Sequence, residues 1–217
     1  MRKPETLGYD PTPTATVRSM HSEDVSAVVA VHLRAFPGFF LSFLGPRFLS
    51  VLYRAAVELD EITLVAVSDG KVAGLVMGSA EPGEFFGKLR RARALQFAYA
   101  ALPSVLRRPG ATLRVARALR KPKEAGKAAG TATLLSIAVD PALQTRGLGR
   151  LLVRAFVQRA AARGAVRVDL TTDKCDNDPV NTFYRGMGFR VAREIQTPEG
   201  RVLNEYELDV PAVQTAY

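Results

Sequence analysis

Apolar residues recur at two different periods along this chain, and the switches between them divide it into elements. Residues 1–13 hold three prolines and little apolar material and read as a loose tail. Thr14–Met20 reads as a short strand. Ser22-Glu23-Asp24 places a serine cap and first-turn acids before a helix reaching about Phe36, where Pro37-Gly38 stops it. Pro46 opens a second helix, in which Phe48, Leu49, Leu52, Tyr53 and Ala56 return at helical spacing. Ile62–Ser68 and Val72–Ala80 are β-rich runs joined by an Asp69-Gly70 turn, an antiparallel hairpin. Phe85, Leu89, Ala92, Leu95, Ala98 and Leu102 then keep a helical period, and Pro103, Pro109-Gly110 and Pro122 punctuate the segment 81–130 into helix, break and helix.

From Thr131 the pattern sharpens. Thr131–Val139 is nearly all apolar at its end, as in a strand covered on both faces, and Asp140-Pro141 stops it. Gly147–Arg163 carries Leu151, Leu152, Ala155, Phe156, Arg159 and Ala160 at helical offsets, with Gly164 just past its end. Ala165–Thr172 is the next strand, so this unit is a right-handed parallel β–helix–β crossover. A polar loop (173–178), a short helix over Pro179–Met187, and a hairpin of Phe189–Gln196 with Arg201–Val210 follow. The chain therefore reads as one mixed α/β domain over 14–217, with a basic helical insertion at about 81–130.

Composition narrows the function classes. A chain of 217 residues, 47% hydrophobic, buries a core without disulfides or metal. The lone Cys175 excludes an intramolecular disulfide and a Cys-rich zinc site, and His21 and His32 are too few for most metal constellations, so no metal is expected. The start M-R-K-P-E-T-L-G has no apolar leader, and the uncharged stretch Ala94–Leu106 is too short to span a bilayer, so a soluble, cytoplasmic protein is expected. The net charge of +9 sits in one place: 81–130 holds 12 basic and three acidic residues, and the remainder is balanced. Such a patch favours an anionic partner: phosphate, nucleic acid or a lipid headgroup.

Gln144-Thr145-Arg146-Gly147-Leu148-Gly149, followed by Arg150, lies between the buried strand and its helix. Unpaired amides at a helix start, glycines without Cβ atoms and two nearby arginines suit a bound phosphate. The same residues also suit a plain tight strand–helix turn, and the sequence matches neither a dinucleotide fingerprint nor a P-loop.

The series L-S-I-A-V-D-P (Leu135–Pro141 with Leu134 before it), Q-x-x-G-x-G (Gln144–Gly149), and Asn177, Asn181, Phe183, Tyr184, Gly188 and Phe189 in that order resembles the GNAT N-acyltransferase superfamily. The likeness is strong over 131–210, while residues before Ala80 match by element order alone. It implies a GNAT acyl-CoA N-acyltransferase fold whose sheet splays near the co-substrate. It implies further that the backbone of Ile137, Ala138 and Val139 pairs with the pantetheine arm of acetyl-CoA. The amides of Thr145–Arg150 would hold the pyrophosphate, Asn177 and Asn181 would contact the arm, and Tyr184 would serve as general acid toward the sulfur. Each position keeps a structural alternative: core packing for Ile137, Val139 and Tyr184, helix capping for Asn177 and Asn181.

Amine acylation needs a neutral amine, a polarised carbonyl and a protonated leaving thiol. Relatives often supply a carboxylate base from the strand before the turn, but Leu134–Val139 contains none, and Ser136 is its only polar side chain. Glu81, Asp173 and bound water remain as candidate bases; Cys175 reads as a bystander and His32 as a packing or surface residue. The expected function is transfer of an acetyl group from acetyl-CoA to the primary amine of a small anionic acceptor, such as a nucleotide-linked amino sugar. The competing expectation is a non-catalytic acyl-CoA sensor, or a protein docking on a membrane or nucleic acid through the basic segment. The expected oligomeric state is a monomer or a homodimer.

Overall fold

The computed structural model describes residues 15–107, 129–198 and 200–210. The expected tail, the second half of the basic segment and the chain end lie outside the described residues. Seven strands make one sheet: β1 (Thr16–Ser19), β2 (Ile62–Ser68), β3 (Lys71–Ser79), β4 (Thr131–Val139), β5 (Arg167–Asp173), β6 (Arg190–Gln196) and β7 (Val202–Asp209). Their order is β1-β2-β3-β4-β5-β7-β6, and only β4 with β5 is parallel. Three helices, α1 (Val25–Ala35), α2 (Phe40–Glu58) and α3 (Pro82–Arg107), cover one face. The other face carries α4 (Leu148–Ala162) and α5 (Asp178–Arg185).

Two apolar cores result. Val28, Leu49, Tyr53 and Ala56 of the first helical layer close over Val65, Leu75, Met77 and Ala138. Leu152, Phe156 and Tyr184 close over Val76, Ala132, Val168 and Tyr206. Each fully buried valine, leucine, methionine or phenylalanine among them stabilises the fold by about 1.5–3 kcal/mol. By length and composition α2 could cross a membrane, but Leu49, Tyr53 and Ala56 bury their surface against the sheet. Gly78 is fixed by space: a Cβ there would stand 2.2 Å from the Thr133 carbonyl oxygen and 2.6 Å from the Phe156 ring.

Local expectations change at four points. The first helix is not capped by Ser22. A 3-10 turn, Ser22–Asp24, precedes it, and the Asp24 carboxylate accepts from the His21 amide at 2.8 Å while gripping Arg18 on β1 at 2.6 and 2.8 Å. A helical turn precedes Pro46, separated from it by Gly45, whose φ of 87° kinks α2. The expected stripe of α3 holds only at Phe85 and Leu89. Arg93 breaks the helix geometry, the buried face rotates to Phe97, Ala100 and Ala101, and Leu95 is left 86% exposed. The helix after the turn begins at Leu148, with a 3-10 helix, Pro141–Arg146, before it.

Candidate active site

The sheet is interrupted where β4 meets β5. Among the described residues their pairing is confined to Thr131, Ala132 and Thr133 against Arg167, Val168 and Asp169. Beyond it β4 stays on β3 out to Val139, and β5 stays on β7 out to Asp173. The facing edges of Leu134–Val139 and Leu170–Asp173 therefore border a wedge. A bulge contributes to it: Met77 pairs with Ser136 and Gly78 with Leu134, so Leu135 is an extra residue in β4. Bulges bend the strand that carries them. Backbone donors and acceptors on such edges need partners, and an extended ligand with amide groups supplies them.

At the open end of β4, Asp140 makes the turn. Its amide donates to Ala73 O at 2.8 Å, and its carboxylate accepts from the Ala142 amide at 3.2 Å. Arg34 on α1 donates to the same carboxylate at 2.7 Å and holds it below the usual carboxylate range. The sequence reading missed this strut between α1 and the turn. Gly147 then takes φ +74°, which an L side chain adopts only with strain. Among the described residues, the Leu151 amide closes the first turn of α4 by donating to Gly147 O at 3.2 Å. The amides of Leu148, Gly149 and Arg150 are the first-turn donors that a helix cannot satisfy internally. The side chains of Gln144, Thr145 and Arg146 lie outside the described residues. Arg150 reaches toward α5, 3.4 Å from the Gly186 carbonyl and 6.0 Å above the Phe183 ring.

On the far side of the wedge, α5 and its N-cap Asn177 carry three of the expected site residues. Asn177 donates both amide hydrogens to the end of β5, to Thr172 Oγ1 at 2.5 Å and Asp173 O at 3.2 Å, so its side-chain oxygen is the group it can offer a ligand. Asn181 is 2% exposed and its amide is saturated. It donates to Asp173 O and Lys174 O and accepts from Asn204 Nδ2 at 3.2 Å and Tyr206 Oη at 3.0 Å. Asn181 thereby ties α5 to β5 and β7. Tyr184 is buried against the rings of Phe183, Phe189 and Tyr206. Burial pushes its phenol above the ordinary tyrosine value, so it stays protonated and able to donate at neutral pH.

The candidate bases separate. Glu81 lies past the end of β3, beside the start of β4, and its carboxylate pairs with Lys88 at 3.1 Å. Asp173 stands at the wedge but is held by the Arg201 guanidinium at 2.6 and 2.7 Å. Cys175 is exposed. His32, by contrast, is a buried member of a polar chain. Its Nδ1 lies 2.7 Å from Tyr53 Oη, and the Ser136 hydroxyl hydrogen bonds to the same phenol from β4. Tyr53 had read only as part of a core stripe; His32 and Tyr53, 21 residues apart on consecutive helices, were the available signal.

Of the basic segment, Arg90 and Arg91 are exposed and Arg93 binds Glu58 at the end of α2. All three lie toward the end of the sheet where β4 begins, away from the open end of the wedge. α3 then runs antiparallel to α2, bringing Phe97 to 5.0 Å from Phe48.

The acetyltransferase (GNAT) family model matches residues 30–189. The ribosomal protein bS18-alanine N-acetyltransferase of Salmonella typhimurium is 39% identical over 61 residues, 28% of this chain and 40% of that protein. The mycothiol acetyltransferase of a Nocardioides species is 38% identical over 72 residues, 31% of this chain and 24% of that protein. The chain thus spans less than half the length of these curated relatives. The solved structure of SsHAT shares the fold, with a TM-score of 0.63 at 22% identity, covering 91% of this chain and 99% of that one.

Proposed function

This chain belongs to the acetyltransferase (GNAT) family, and we propose that it transfers an acetyl group from acetyl-CoA to a primary amine by direct attack within a ternary complex. The observation that carries the reading is the wedge between β4 and β5 with the first turn of α4 at its open end. An acyl-CoA has an extended arm with amide groups and a doubly charged pyrophosphate, and the two features suit them in that order. Edge amides and carbonyls of Ile137, Ala138 and Val139 pair with the arm. The amides of Leu148, Gly149 and Arg150, aided by the helix dipole, bind the phosphates. Asn177 accepts from an arm N–H through its side-chain oxygen. The acetyl-CoA thioester supplies the activated acyl group, and Tyr184 donates its proton to the departing sulfur. Positioning of amine and thioester supplies most of the rate.

The acceptor is a small amine bearing negative charge, as in a nucleotide-linked amino sugar. Its support is the run of basic residues from Arg107 to Lys127, within the one segment that carries the whole net charge. A second reading, the amino-terminal alanine of a protein, is favoured by the relative from Salmonella. Thiol release with acetyl-CoA separates the two when anionic amino sugars and alanine-starting peptides are compared at rising salt. An anionic small acceptor gives a KM that climbs with ionic strength, since exposed charges are screened over about 8 Å at physiological salt. Thiol release with the peptides alone would reject it. Calorimetric binding of acetyl-CoA without release to any amine would leave the sensor reading.

A further inference from the structure

Ser136 lies on β4 three residues past Thr133, the last residue paired with β5, and opposite Met77. It follows the bulge and shares its strand face with Ala138, the face turned to α1 and α2. Behind it stand Tyr53, 0% exposed, and His32, 3% exposed. A polar chain so deep in an apolar layer is costly unless each member is satisfied, and its hydrogen bonds have a definite sense. Burial holds His32 neutral, so one ring nitrogen carries a lone pair. The Nδ1 to Oη separation of 2.7 Å is a short hydrogen bond whose sense the imidazole tautomer sets. In the tautomer that carries its hydrogen on Nε2, Tyr53 donates to His32 Nδ1. Its oxygen accepts from Ser136, which leaves the Ser136 lone pairs to accept from an N–H entering the wedge on this face.

We infer that Ser136 accepts a hydrogen bond from the attacking amine, and that Tyr53 and His32, acting through it as positioning residues, take up the proton the amine loses. The inference rests on the acetyl-transfer reading. As nitrogen bonds to the thioester carbonyl carbon it loses its basicity, so a weakly basic acceptor suffices. The nitrogen's proton passes to Ser136 Oγ, the Ser136 proton to Tyr53 Oη, and the Tyr53 proton to His32 Nδ1, which becomes imidazolium. The carbon–sulfur bond breaks and the sulfur takes the Tyr184 proton. Solvent then removes the proton from His32 and restores that of Tyr184, so one amine and one thioester become one amide and one thiol. This chain does the work for which the strand carries no carboxylate.

The test measures thiol release by the full chain at saturating acetyl-CoA, using the amine that wild type turns over fastest. Ser136→Ala and Tyr53→Phe are each expected to lower kcat/KM for the amine about a hundredfold. The acetyl-CoA KM should stay within about twofold, and the double variant should be no slower than the slower single one. The wild-type rate should depend on deuterium content along a curve, since several protons move together, and Ser136→Ala should make that dependence linear. Ser136→Thr, which keeps the hydroxyl, should recover most of the rate. If Tyr53→Phe does not fold, Ser136→Ala and Ser136→Thr carry the comparison alone. Rates within about threefold of wild type, or losses in the singles that add in the double, would overturn the relay while leaving the transferase intact. A wild type that binds acetyl-CoA yet releases thiol to no amine would overturn the transferase reading, and this inference with it.

Discussion

Burial of His32 makes the fold sensitive to acid in a defined window. In the unfolded chain its imidazole titrates near 6.5; in the fold, burial lowers that to about 4, and no charged neighbour contributes to the shift. The unfolded state therefore binds a proton that the native state refuses between those values. Stability contributed by neutral His32 is complete above about pH 6.5, falls as pH drops, and levels off below about 4. The full span is about 3.4 kcal/mol at about 1.36 kcal/mol per unit, and about 2.5 kcal/mol of it is gone by pH 4.5. Carboxylates held low by arginines, Asp24 by Arg18 and Asp140 by Arg34, lose their own contributions further down, so the comparison must be differential. Urea unfolding followed by circular dichroism at pH 7.5 and pH 4.5, on wild type and His32→Gln, provides it. Wild type should lose about 2.5 kcal/mol more than the variant on acidification. Parallel losses would mean that water or a carboxylate reaches the imidazole, and the buried chain from Ser136 would not be built as drawn.

A Cβ on Gly149 would stand 3.5 Å from the Phe183 ring, so the branched methyls of Gly149→Val must crowd either that ring or the turn amides. Acetyl-CoA affinity by calorimetry should weaken at least tenfold, about 1.4 kcal/mol; unchanged affinity in a folded variant would remove the pyrophosphate from this turn. Tyr184→Phe should lower kcat about a hundredfold with acetyl-CoA affinity intact, and an unchanged rate where chemistry limits turnover would take Tyr184 out of the reaction. Asn181→Ala should cost about 2–4 kcal/mol of stability by stranding Asn204 and Tyr206, with little change in acetyl-CoA affinity for the folded fraction. The opposite pattern, a stable protein that binds poorly, would return Asn181 to the ligand.

The strand, turn and helix from Thr131 to Arg163 were legible because every local signal agrees there. An apolar run ends at Asp140-Pro141, Gly147 supplies the positive φ, and Leu152, Phe156 and Ala160 repeat on one face. The errors arose where a contact distant in sequence decided the outcome. Ser22 is a good cap by type, but Asp24 is fixed from outside by Arg18, and that pair sets the helix start. The apolar period of α3 continues smoothly through Arg93, yet the grip of Arg93 on Glu58 and the seating of Phe97 on Phe48 turn the second half of the helix. Asn181 and Tyr184 are three apart and so share a helix face. Since Tyr184 reads as facing inward, Asn181 had to be buried too, and a buried amide needs all its partners. The Ser136–Tyr53–His32 chain joins three elements, and no single window of sequence contains it.

What keeps the wedge open follows from the same accounting of hydrogen bonds. Two parallel strands that begin as a pair would ordinarily continue as one, because each further residue satisfies backbone groups of both. Here the competing partners are already placed. At the end of β5 the Asp173 carbonyl accepts from both Asn177 and Asn181, and the Lys174 carbonyl accepts from Asn181. The Lys174 amide donates to Val202, which keeps this end on β7. On the other side the extra residue Leu135 bends β4, and its edge stays with β3 as far as Gly74. The two strands are thus drawn apart by bonds that do not involve a ligand. A co-substrate entering the wedge finds an unzipped edge and need not pry one open. Asn181 shapes the space from the β5 side, and the serine midway between its closed end and its mouth is the polar side chain β4 presents to the incoming amine.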